Sequence, residues 1–158
     1  MKQIKTQNGQ KMGQVTSREI QEIIEGNGFF EDVRDISDTV HEDDVLAYNI
    51  KLDQSILERE IERDLEEEGY MMDDEEEFSS LLLEQAGYFI DAAVDEMKDH
   101  IEKRYHVDNI DTVYDVYQGQ GGMEDIRFVL TLSFGAAKHS QLYQLTSGII
   151  DKNYTQFH

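Results

Sequence analysis

Apolar positions along this chain fall into two periods. Between residues 78 and 105, Phe78, Leu82, Ala86, Phe89, Ile90, Ala93, Val94, Met97, Ile101 and Tyr105 recur at helical spacing and cover about half the circumference of a helix. An apolar arc that wide predicts a long central helix packed on a sheet. A second helix is predicted from Asp53, which can cap it, to Glu68, with Gly69 as its stop. Its stripe is Leu57, Ile61 and Leu65, four residues apart. Thr16-Ser17-Arg18-Glu19 has the form of a capping box. A short helix follows, with Ile20, Ile23 and Ile24 on one face and Gly26 or Gly28 at its end. Leu142, Leu145 and Ile149 predict a last helix from residue 137 to about residue 150.

The other period is two. Leu46, Tyr48, Ile50 and Leu52 share one face of a strand over 45–52. Residues 112–118 and 125–134 predict a hairpin across Gly119-Gln120-Gly121-Gly122. Its second strand alternates most cleanly, with Ile126, Phe128, Leu130, Leu132 and Phe134 on one side. Residues 29–44 mix Phe29, Phe30, Val33, Ile36 and Val40 with acids at no fixed spacing, and are read as a short irregular helix. The polar residues 1–15 fit a hairpin at Asn8-Gly9 or a flexible segment equally well. The expected fold is α+β: a small antiparallel sheet of about three strands, with its hairpin in the C-terminal half, against a long central helix and additional helices. Residues 16–151 form a single domain, and 152–158 a frayed tail.

Charge changes this picture most. The chain has 35 acids against 14 Lys and Arg, a formal net charge of −21. Residues 58–77 contain twelve acids and two arginines, Arg59 and Arg63. If helical, that stretch is roughly 30 Å long, and its net negative charge falls every ~3 Å, close to the ~3.4 Å per phosphate along one DNA strand. Direct binding to nucleic acid or to an anionic membrane is disfavoured, whereas a basic partner surface would be attracted. Cys and Pro are absent, so no disulfide or thiolate metal site forms. The start lacks the apolar core of a signal peptide, and no apolar run approaches a transmembrane span. A cytoplasmic location is the expectation.

Sites of chemistry are weakly indicated. Asp73-Asp74-Glu75-Glu76-Glu77 lacks the alternation and Gly of a calcium loop, and Asp151-Lys152-Asn153-Tyr154-Thr155 lacks its Gly and terminal Glu. Glu96 and His100 share a helix face near His106, without the second Glu/His pair of a di-metal site. Glu96-Met97-Lys98, after Asp91, matches a nuclease-like fragment but sits on a helix where such a site needs a strand. The Gly119–Gly122 link joins strands and has no following helix or Lys to hold phosphate. No metal, cofactor or enzymatic activity is expected. Tyr88 and Leu81, on the polar side of the long helix, and Tyr70, Met71 and Met72, between the acidic runs, suit either a binding surface or a tie between helices.

In character the chain resembles the small, acidic, cysteine-free DNA-mimic inhibitors of bacteriophages and mobile elements, which block restriction enzymes, CRISPR effectors, glycosylases or nucleoid proteins. The likeness is one of composition, without a shared motif. It implies a protein-binding surface made of Glu58, Glu60, Glu62, Asp64, Glu66, Glu68, Asp73, Asp74, Glu75, Glu76 and Glu77, with Asp91, Asp95 and Asp99. The partner would be a basic, nucleic-acid-binding protein. Two other readings stand beside it: an assembly or regulatory binding protein whose acids serve solubility, and a carboxylate- and metal-dependent enzyme. Oligomeric state is open, a homodimer included.

Overall fold

A computed structural model of the chain describes residues 1–8, 11–67, 75–120, 125–135 and 138–153 and, among these, the side chains of all but residues 7, 8, 11, 12, 75, 76, 79 and 153. The chain order is β1 (Gln3–Asn8), β2 (Lys11–Thr16), α1 (Ser17–Glu25), β3 (Phe30–Asp35), a 3-10 turn (Ser37–Thr39), β4 (Val45–Leu52), α2 (Gln54–Glu67), α3 (Glu75–Tyr105), β5 (Asp111–Gln118), β6 (Ile126–Ser133) and α4 (His139–Asn153). β1 and β2 form an antiparallel hairpin, and a separate four-stranded antiparallel sheet has the order β3-β4-β6-β5. The fold is α+β.

Three strands beyond the expected three take part in pairing at the N-terminal side. Residues 30–35 were expected to be helical and form a strand instead. Only Val33 among them is buried, and the register slips between Phe30 and Asp32, so an edge position and a bulge erase the two-residue period. Residues 3–8 and 11–16 form the small hairpin, with Ile4 and Val15 buried. It is tied down by polar contacts that no periodicity signals. Lys2 N–H donates to Ser17 Oγ at 2.9 Å, and the buried Tyr48 hydroxyl donates to the Ser17 carbonyl at 2.6 Å. The Lys2 ammonium donates to the carbonyls of Val40, Glu42 and Val45. Its burial there lowers the Lys2 pKa despite Asp43, Glu42, Asp44 and Asp38 around it.

The sheet is covered on both faces. On one, Leu46, Tyr48, Ile50, Leu52, Ile126, Phe128, Leu130 and Leu132 pack against Ile20 and Ile24 of α1, Leu57 and Ile61 of α2 and Leu82 to Ile101 of α3. Each fully buried Leu, Ile or Phe here contributes about 1.5–3 kcal/mol. On the other face Val45, Ala47, Val113, Tyr117 and Val129 meet Leu142, Ile149 and Ile150 of α4. That second layer was hidden in the sequence because its sheet face is partly polar. Asn49 accepts a hydrogen bond from the Tyr117 hydroxyl at 2.8 Å, and Thr131 and Thr146 pair their hydroxyls at 2.8 Å. Polar groups that satisfy one another can be buried at little cost.

Helix starts follow the expected chemistry in part: half of the capping box at Thr16 forms, and Gly69, the expected stop of α2, lies outside the described residues. Thr16 Oγ1 accepts from Glu19 N–H, while the Glu19 carboxylate takes the Tyr105 hydroxyl at 2.7 Å and ties α1 to the end of α3. Burial and that contact push the Tyr105 hydroxyl up to about 12. Asp53 caps α2, its Oδ1 accepting from Ser55 N–H and hydroxyl, which hold its carboxyl below the usual range. α3 closes with a left-handed residue, His106 (φ 54°), and a bond from Val107 N–H to the Glu102 carbonyl at 3.1 Å. This is the six-to-one Schellman closure, with His in the place Gly usually takes.

Candidate acidic interface

α2 carries the first half of the acidic run. Leu57 and Ile61 are buried and Leu65 leans on the same core, so the acids flank this stripe. At 100° per residue, the row Glu58, Glu62, Glu66 and the row Glu60, Asp64 point to roughly opposite sides of the helix. Arg59 and Arg63 lie on the outer ridge between them. Glu62, Asp64 and Glu66 are exposed, and Glu58 and Glu60 half-buried. Arg63 forms an ion pair with Glu60, Gln54 Nε2 donates to Glu58 at 3.2 Å, and Arg59 donates to the Ser55 carbonyl. The α2 carboxylates therefore do not share one face.

Glu68, Asp73 and Asp74 lie outside the described residues, as do the side chains of Glu75 and Glu76. α3 begins at Glu75 rather than near Phe78. Its first turn is therefore acidic, where the helix dipole favours negative charge. Glu77 is exposed there.

From Glu77 onward α3 carries the best-aligned charge among the described residues. Glu77, Glu84, Tyr88, Asp91, Asp95, Asp99 and Glu102 fall within about 40° of one line along the helix. All but the half-buried Glu102 are exposed. The line is roughly 37 Å long, with a carboxylate every ~7.5 Å, about twice the axial rise per phosphate of one DNA strand. Glu77, Glu84 and Asp95 make no ion pair with any described residue. Asp99 pairs with Lys103 at 2.8 Å, an exposed bond that raises the Lys103 pKa. Asp91 accepts the Tyr114 hydroxyl at 2.6 Å, and Glu102 accepts Asn109 N–H at 3.2 Å. Burial pushes the Tyr114 hydroxyl strongly up, and Asp91 and Asp95 push it further. Asp91, Asp95 and Asp99, expected as helpers to the α2 acids, fall on this line with Glu77 and Glu84. Its signal was legible as acids spaced three, four and seven apart.

Tyr88 stands in the middle of this line, 61% exposed. Leu81, expected beside it on the polar side, packs partly against the core. Tyr70, Met71 and Met72 are outside the described residues. Beside the line, Glu96, Asp99, His100, Lys103 and Arg104 border a shallow depression, and His100 is exposed. Among the described residues no group of three or more His, Asp or Glu is placed to hold a metal ion. No described helix is long and apolar enough to cross a membrane. No known protein family, curated protein or solved structure matches this chain.

Proposed function

We propose that this chain is a non-enzymatic, acidic binding protein that presents backbone-like charge to a basic, nucleic-acid-binding protein and blocks it inside the cell, in the manner of the counter-defence inhibitors of phages and mobile elements. The observation that carries the reading is the α3 line from Glu77 to Glu102. A long helix fixes its carboxylates in register, and Lys103 is the one described base that pairs with any of them. The exposed Tyr88 gives that line an aromatic anchor of the kind that concentrates binding energy at interfaces. The rival reading, an assembly or regulatory partner with charge for solubility, rests on α2, whose rows diverge around an arginine ridge.

The experiment is capture on the immobilised protein from a cell lysate. Bound proteins are eluted either with duplex DNA at constant ionic strength or with added salt alone. The proposal expects a captured protein that itself binds nucleic acid and is displaced by the duplex. Partners that bind no nucleic acid and ignore the duplex contradict it.

A further inference from the structure

The two edges of the four-stranded sheet are finished differently. At β3 the register slips, α1 packs alongside, and Gln21 Nε2 donates to the outward carbonyl of Val33 at 3.0 Å. Such covering blunts an edge against pairing. At the other edge β5 pairs with β6 alone among the described residues. The phase of its ladder follows from two contacts. Gly119 N–H donates to the Asp125 carbonyl at 2.7 Å, and Thr131 Oγ1 donates to the Val113 carbonyl. Odd-numbered residues of β5 therefore turn their backbone toward β6. Alternation in an antiparallel pair then points the N–H and C=O groups of Thr112, Tyr114 and Val116 outward.

The two sides of that edge differ in chemistry. Beneath α3 lie Tyr114 and Val116, both partly buried against the core, with Asp91 bonded to the Tyr114 hydroxyl at the rim. On the α4 side lie Asp111, which bonds to His139 Nδ1 at 3.0 Å, and Asp115. Burial disfavours ionisation of Asp115, a bond from Val116 N–H offsets it in part, and Asp151 of α4 adds to the disfavour. An added cation would relieve it.

We infer that the outer edge of β5 is a docking site for an extended segment of another protein, alternating apolar and basic residues, which adds as a fifth strand. Main-chain bonds to Thr112, to Tyr114 and to the Val116 carbonyl hold it, as in strand-addition recognition generally. Its apolar side chains cover Tyr114 and Val116, and its Lys or Arg side chains meet Asp111, Asp115 and Asp151. This site meets the α3 line at Asp91 but does not depend on the function proposed for that line.

The probe is a dye-labelled, end-blocked octapeptide of alternating Val and Lys, followed by fluorescence anisotropy at physiological salt. A second peptide carries N-methyl groups on two adjacent central residues, which keeps the charge and blocks pairing on both of its edges. The parent should bind saturably and the methylated peptide about ten-fold or more weakly. Thr112→Pro removes an outward N–H without touching the β6 ladder, and should weaken the parent peptide likewise. If that variant fails to fold by circular dichroism, the peptide pair decides alone. Equal binding of the two peptides reduces the edge to charge attraction and overturns the inference, as does absence of binding. A peptide-free homodimer that Thr112→Pro dissociates assigns the edge to a second copy and also overturns it.

Discussion

Single side chains hold this fold at points where the hydrophobic pattern is silent. Lys2 fills a ring of three carbonyls, Tyr48 reaches Ser17, and Tyr105 reaches Glu19; each links residues distant in sequence, and none carries a periodic signal. Asp115 is the opposite case, a residue that works against folding. Its carboxyl is pushed up by burial first and by Asp151 as well. A folded pKa above the unfolded value of ~3.9 means the native state holds its proton longer. Stability then falls as pH rises through that window, and the loss is complete above the folded pKa. Asp115→Asn should raise the melting temperature at pH 7 and lose that advantage below about pH 4. Melting curves at the two pH values check it; an unchanged or lowered melting point at pH 7 contradicts the account.

At the scale of elements, most of the architecture was legible. α1, α2, α3, α4, β4, β5 and β6 lie where apolar period and capping residues put them, within about three residues at each end. β3 was not legible, because an edge strand with one buried side chain has no period to show. The α4 layer was legible as a helix but not as a second cover, since Asn49, Thr131 and Thr146 disguise the face it packs on. The acidic rows were legible as spacing. Gly87 is a further case: a Cβ placed there meets nothing within 4 Å, so close packing does not explain a glycine inside α3. Gly87→Ala should therefore stabilise the protein by about 1 kcal/mol. Chemical denaturation measures this, and destabilisation would show that α3 needs the glycine.

For the molecule as a whole, a net charge of −21 on 158 residues is a standing repulsion. Six Lys, Arg or N-terminal ion pairs are seen among the described residues, most of them exposed, and exposed pairs contribute at most ~1 kcal/mol each. Added monovalent salt should raise the melting temperature steadily by screening that repulsion. A melting point that stays flat between low and moderate salt would mean that the charges are too well separated to matter. Repulsion of this kind is tolerated where charge is used, and the proposed use is the register of carboxylates along α3. The decisive measurement compares two triple variants for affinity to the captured partner. One is Glu77→Gln, Glu84→Gln, Asp95→Asn on the α3 line; the other is Glu25→Gln, Glu42→Gln, Asp108→Asn, equal in charge and placed elsewhere. The account predicts that the first binds roughly ten-fold or more weakly while the second binds like the native chain. Equal losses in the two would contradict it, because total charge and not its alignment would then govern binding.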